Sequence, residues 1–202
     1  MGTIEPIQGR YVQTTIAGEA HRIYFEEAGQ GIPLVCMHTA GADSRQWRHL
    51  LNDAEVTARF RVIAFDLPYH GRSTPPEGWW LKKYKLTTAH YAQVVRGFYQ
   101  SLGLEQPVLM GCSMAGAIVL QMAADHGAEL RGIIGLESSA FAPGRYNDFF
   151  APPGGARRRI VRQLHHGLVC ARQPRVSGAR KLVVLRPRRP WRVRWRRELL
   201  QL

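Results

Sequence analysis

The sequence predicts a chain of the α/β class, with a mostly parallel sheet entered through an N-terminal hairpin. Short, continuous apolar runs at residues 32–38, 60–66, 107–112 and 130–138 carry that prediction, together with the helically spaced segments between them. Strand and helix in alternation require parallel pairing with right-handed crossovers, since a tight turn cannot return the chain to the same end of the sheet. A chain of 202 residues can bury one sizeable core. No internal repeat is visible.

Residues 10–16 and 20–25 are β-rich runs on either side of Ala17, Gly18 and Glu19, which suggests the opening antiparallel hairpin. The run IPLVCMH, residues 32–38, ends at a glycine-containing loop, as a strand covered on both faces would. Asp43 or Ser44 can cap a helix running through Trp47, Leu50 and Leu51, and FRVIAFD, residues 60–66, is a second buried strand. A long loop rich in Pro and Gly follows. Trp79, Trp80 and Tyr84 are expected to pack beneath it rather than to line a substrate entrance. Thr87 or Thr88 then caps a helix with Tyr91, Val94, Val95, Phe98 and Leu102 on one side. The run PVLMGC is a strand, Ser113 to about Asp125 reads as a helix, and LRGIIGLES, residues 130–138, is a further strand.

Residues 111–116 read GCSMAG. A serine hydroxyl is a weak nucleophile, so it needs presentation, a base, and donors for the developing oxyanion. A sharp strand-to-helix turn presents it, and that turn is crowded enough to demand very small residues two positions before and after the serine. Around Ser113 these are Gly111 and Ala115, with Gly116 next. The following helix aims its first N–H groups at the site, which makes Met114 N–H one oxyanion donor. The second is expected from the loop HTAGAD, which begins at His38.

Three landmarks therefore stand in order: His38, Thr39, Ala40 and Gly41; DLPYHGRS, residues 66–73; and the turn GCSMAG. On these motifs the chain resembles the α/β-hydrolase fold superfamily, of the serine hydrolase or esterase kind. The resemblance implies Ser113 as nucleophile, with Met114 N–H and the N–H of either Thr39 or Ala40 forming the oxyanion hole. Thr39 occupies a position where the family commonly has glycine, and Tyr69 replaces a common glycine in the second landmark. The implied activity is cleavage of a small ester, amide or related bond through an acyl-serine, on a small-molecule substrate and with no cofactor. Cys112 is expected to pack at the strand end, and His38 and His70 to structure their loops.

The resemblance also implies an acid and a histidine after later strands, in the order serine, acid, histidine. Too few residues follow Ser113 to hold a lid, two more strand–helix units and a histidine loop. His126 lies at the far end of the helix that Ser113 begins, roughly 20 Å away at a rise of about 1.5 Å per residue. Glu137 sits at a strand's carboxyl end with no histidine to orient. No complete triad is expected, so residues 1–150 read as a partial α/β-hydrolase core, impaired as an enzyme, with an incomplete C-terminal portion. A sheet stopped there exposes an unpaired edge and uncovered apolar faces, so poor solubility or a compensating oligomer is expected.

Charge divides the chain at the same place. Residues 1–150 hold 13 Lys and Arg against 14 Asp and Glu, whereas residues 151–202 hold 15 against 1. Three readings of this Arg-rich tail compete. Arg interleaved with Trp suits nucleic acid or an anionic membrane; a disordered basic tail would bind any polyanion; and 14 arginines to one lysine with no aspartate is what a GC-rich gene yields when read out of frame. Codons for the tail can be chosen so that the frame one base ahead spells an ordinary aromatic, Gly/Pro-punctuated segment. Glycine is forced in that frame at Trp191 and Trp195, since TGG is followed by an Arg codon beginning with C or A. His165 and His166 lack the further spaced ligands of a metal site.

Three cysteines, an odd number without a spaced pattern, argue against a disulfide scaffold and fit a reducing compartment. No basic segment followed by an apolar run opens the chain, and no stretch approaches a membrane span, so a cytoplasmic protein is expected. The frame reading is tested by the nucleotide sequence from the Gly144 codon onward. The frame one base ahead is expected to stay open into an acid loop and a Gly-His loop; early stop codons in it would make the tail genuine coding sequence.

Overall fold

The computed structural model describes residues 2–81 and 87–138, and the backbone of residues 183–185. The readings placed on Tyr84, His165, His166 and most of the tail 151–202 lie outside the described residues.

The chain opens with strands β1 (Gln8–Ile16) and β2 (Glu19–Ala28), paired antiparallel from Gln8 opposite Glu27 to Ile16 opposite Glu19. Ala17 and Gly18 join them with φ of 51° and 81°. A two-residue turn with both centres left-handed matches the twist of the strands it connects. Strands β3 (Ile32–Met37), β4 (Phe60–Phe65), β5 (Val108–Cys112) and β6 (Gly132–Leu136) follow, and β7 (Val183–Leu185) completes a sheet ordered β1-β2-β4-β3-β5-β6-β7. The β4–β3, β3–β5 and β5–β6 pairs are parallel, and β2–β4 is antiparallel.

Both faces of the central strands are buried, which is why they read as unbroken apolar runs. Val35 and Met37 point to one face with Ile63, Phe65 and Leu109; Leu34 and Cys36 point to the other with Val62, Ala64 and Met110. Helices α3 (Thr88–Ser101) and α4 (Met114–His126) cover the first face with Val94, Val95, Phe98, Ile118, Val119 and Met122. Phe98 stacks on Phe65 with ring centroids 4.1 Å apart and meets Phe25 edge-on at 5.7 Å. Thr87 is the α3 cap, its hydroxyl accepting His90 N–H at 3.1 Å. Trp47 and Leu51 cover the second face.

Three expectations need correction. The segment after residue 43 is not one helix: a 3₁₀ turn, Ser44–Trp47, leads into the single turns α1 (Arg48–Leu51) and α2 (Ala54–Thr57). Asp43, not Ser44, caps it, and Asp53 starts a fresh cap by accepting from Glu55 N–H and Val56 N–H, which breaks the run. Trp79 meets Tyr69 edge-on yet is still 45% exposed, and Trp80 is 66% and Leu81 83% exposed, because a single 3₁₀ turn cannot aim three successive side chains inward. The outer edge of β6 is also paired rather than open: β7 runs antiparallel to it, with Ile134 opposite Val184. Alternate N–H and C=O groups on an edge recruit any extended segment within reach. No helix among the described residues is long and apolar enough to cross a membrane.

One buried carboxylate ties the hairpin to the loops beyond the sheet. Glu26 on β2 accepts Arg48 Nη2 on both oxygens, at 2.8 and 2.9 Å, and Arg72 Nη1 and Tyr24 Oη on Oε1, each at 3.1 Å. Both arginine side chains remain about half in water, at 41% and 50% exposure, so this is weaker than a fully desolvated pair. Glu26→Ala is expected to cost about 2 kcal/mol, read as a lowered urea midpoint. An unchanged midpoint would show that solvent screening cancels the cluster.

Candidate active site at the carboxyl edge of the sheet

Ser113 stands between β5 and α4 with φ 54° and ψ −111°, a conformation that side-chain-bearing residues seldom adopt. Its N–H donates to Leu136 O of β6 at 2.8 Å, and its C=O accepts Ala117 N–H at 3.2 Å. The turn is as crowded as its sequence suggested. A Cβ on Gly111 would lie 2.5 Å from the carbonyl carbon of Ala115, and one on Gly116 would overlap the side chain of Ser138. Met114 is the first residue of α4, so its N–H has no acceptor within the helix and sits at the positive end of the helix dipole.

The loop after β3 leaves the sheet beside this turn, because β3 and β5 are parallel neighbours with Met37 opposite Gly111. His38 is fully buried. Its Nδ1–H donates to Thr39 O at 2.8 Å and its Nε2 accepts Leu67 N–H at 3.1 Å, a pairing that requires the neutral ring. Burial pushes its pKa down to about 4, against an opposing contribution from the Thr39 carbonyl. His70 lies alongside at a centroid separation of 4.9 Å, and its own Nδ1 hydrogen-bonds to Pro68 O at 2.9 Å. Both rings shape loops, as expected.

Thr39 and Ala40 differ in what their backbone is already doing. Thr39 N–H donates to Gln46 Oε1 at 2.9 Å, and Thr39 is half-buried, whereas Ala40 is exposed. Asp66, at the end of β4, accepts Ser44 N–H and Arg72 N–H, both at 2.6 Å, and so fixes the two flanking loops to each other. Gly71, at φ 53°, presses so closely on that carboxylate that no side chain fits there. Ser73 Oγ–H donates to Asp66 O at 2.6 Å and accepts Tyr24 N–H at 3.0 Å. The segment DLPYHGRS is therefore a brace for the site. Asp43 is held below the ordinary carboxylate range: burial alone would raise it, but the Arg45 side chain and N–H outweigh that.

Ser113 and Met114, at the start of α4, and Thr39 and Ala40, in the loop after β3, thus lie at the same edge of the sheet. His126 does not join them: its Nδ1 lies 3.6 Å from Glu129, whose carboxylate also holds Arg96 and accepts Tyr99 Oη–H at 2.7 Å, at the opposite end of α4. Glu137 follows β6 at φ 49° and is exposed. No described histidine hydrogen-bonds to the Ser113 hydroxyl, and no cluster of three or more His, Cys, Asp or Glu among the described residues could hold a metal. Gln46 was not singled out from the sequence. Its only signal is a polar residue inside an otherwise amphipathic segment.

A profile of the alpha/beta hydrolase fold matches residues 32–162. Bifunctional epoxide hydrolase 2 of Rattus norvegicus is 28% identical over 160 residues, covering 71% of this chain and 28% of the relative. An AB hydrolase superfamily protein of Bacillus subtilis is 31% identical over 135 residues, covering 65% and 46%. The solved structure of a thermophilic esterase from Thermogutta terrifontis superposes with a TM-score of 0.57 at 26% identity, over 66% of this chain and 48% of that one. The chain spans less than half the length of these two curated relatives.

The buried neutral His38 makes a pH prediction. Its folded pKa, about 4, lies below the ordinary 6.5, so the unfolded chain takes up the proton first as pH falls. The His38 contribution to stability is intact above pH about 6.5 and is lost progressively down to about 4, by roughly 3 kcal/mol in all. Urea melts of wild type and His38→Gln across that range are expected to show a shallower acid loss in the variant; parallel curves would remove His38 as the cause.

Proposed function

The chain belongs to the alpha/beta hydrolase fold family, and from that premise we propose that Ser113 is the nucleophile of a serine hydrolase acting on a small ester, amide or related acyl bond. The observation that carries the reading is the Ser113 backbone, held at φ 54° between a strand end and a helix start. A hydroxyl presented there projects from the carboxyl edge of the sheet, where a substrate carbonyl can approach it.

In the proposed reaction Ser113 Oγ attacks the carbonyl carbon and its proton passes to a base. The oxygen that gains the negative charge is met by Met114 N–H and by one N–H of the Thr39–Ala40 loop. Collapse of the adduct expels the alcohol or amine and leaves an acyl-serine, which water then hydrolyses. The helix dipole of α4 favours the charge at the same place. Among the described residues no histidine partners the hydroxyl, and with the triad incomplete, as the sequence leads one to expect, turnover of this chain is slow. Oxyanion stabilisation and binding alone sustain roughly 10³–10⁴-fold over the uncatalysed rate.

A fluorophosphonate probe tests the nucleophile and p-nitrophenyl acetate tests turnover. Labelling is expected at Ser113 and abolished in Ser113→Ala, with hydrolysis of the ester slow but serine-dependent. Equal labelling of wild type and Ser113→Ala would sink the assignment.

A further inference from the structure

We infer that Gln46 is a positioning residue: by occupying Thr39 N–H it commits Ala40 N–H to be the second oxyanion donor. The inference rests on the Ser113 reading and goes beyond it by choosing between the two loop donors and naming the side chain that makes the choice.

The argument begins with the peptide groups of the loop. Thr39 N–H is given to Gln46 Oε1 at 2.9 Å, and Thr39 O accepts both His38 Nδ1–H at 2.8 Å and Ala42 N–H at 3.2 Å. An N–H carries one proton, so a donor already held by a neutral amide oxygen reaches a developing oxyanion only by breaking that bond. The Thr39 O to Ala42 N–H bond closes a four-residue turn whose centre is Ala40 and Gly41, with Gly41 at φ 72°. A positive φ at the third position marks a type II turn, which explains the glycine. The closing bond of such a turn uses neither central N–H, so the Ala40 donor is left over at the exposed tip of the loop.

Gln46 is itself braced. It lies in the 3₁₀ turn Ser44–Trp47, where Gln46 N–H donates to Asp43 O at 3.0 Å, Ser44 N–H is held by Asp66, and Trp47 is buried against the sheet. Its side chain therefore links a fixed turn to the oxyanion loop. The residue type also matters. A carboxylate at this position could accept Thr39 N–H equally well, but it would set a negative charge beside the place where another is to form, whereas the amide oxygen carries none.

The test uses the full chain with Gln46→Met, which keeps length and loses the acceptor, and Gln46→Glu, which keeps the acceptor and adds a charge. Ser113 acylation by p-nitrophenyl acetate is measured over a range of substrate concentrations and pH. The Met variant is expected to acylate about tenfold to a hundredfold more slowly at saturation, with half-saturation unchanged and with faster hydrogen exchange at the Thr39 amide. The Glu variant is expected to keep slow exchange at Thr39, and its rate relative to wild type should rise as pH falls through the carboxylate range. A Met variant with the wild-type saturating rate, or a flat Glu-to-wild-type ratio across pH, overturns the role of Gln46 while leaving Ser113 in place. Loss of Ser113-dependent acylation in the wild-type chain overturns the serine reading itself, and the oxyanion role with it.

Discussion

Ser113 occupies a backbone conformation that costs on the order of 1–3 kcal/mol, and the carboxyl edge of the sheet is arranged around keeping it there. Three elements share the task. β6 holds the serine N–H through Leu136 O, α4 begins at once and accommodates the chain's change of direction, and β5 passes so close beneath α4 that position 111 has room only for hydrogen. The apolar face of α4 supplies the compensating energy: Ile118, Val119 and Met122 are all buried against the sheet. Strain at one residue is thus supported by packing spread over a whole helix, which is why the small residues of the turn and the large residues of the helix belong to one requirement.

The loop that follows β3 is held by polar groups that carry little net charge. His38 is neutral because it is buried and because its two nitrogens meet one acceptor and one donor. Gln46 offers an amide oxygen. The Asp66 carboxyl group nearby is turned toward the N–H groups of Ser44 and Arg72. Rigid peptide groups at fixed positions lose little reorganisation energy when charge develops on a bound substrate. The cluster around Glu26 does similar bracing one layer back, joining β2 to Arg48 on α1 and to Arg72 in the DLPYHGRS loop.

Much of this was legible from residue order alone, because it rests on local rules. Continuous apolar runs mark strands covered on both faces, Thr87 caps the helix that Tyr91, Val94, Val95 and Phe98 anchor, and the small residues at 111, 115 and 116 announce a crowded turn. What escaped depends on partners far apart in the chain. Asp53 breaks a helix that apolar spacing alone would continue, and only the three-dimensional course of the loop shows that Gln46 reaches Thr39. Trp80 reads as core material by its size, yet its burial is decided by which way one 3₁₀ turn faces. Glu26 lies in a strand whose neighbours are apolar, and nothing in its immediate sequence announces two arginines, one 22 and the other 46 positions away.

The strand order also sets a sequence of events for assembly. β3 is flanked by β4 and by β5, and the latter is made some seventy residues later, after the long loop and α3. The β1–β2 hairpin can close within microseconds of its synthesis, but the β5-facing edge of β3 must wait. Closing so large a loop is entropically slow, and an apolar strand with one bare edge is a template for the wrong partner in the meantime. The loop that follows His38, attached to the end of that strand, therefore acquires its neighbour well after the hairpin has closed. A shortage of folding time, on the ribosome or after dilution from denaturant, should be felt at this edge before the hairpin is disturbed.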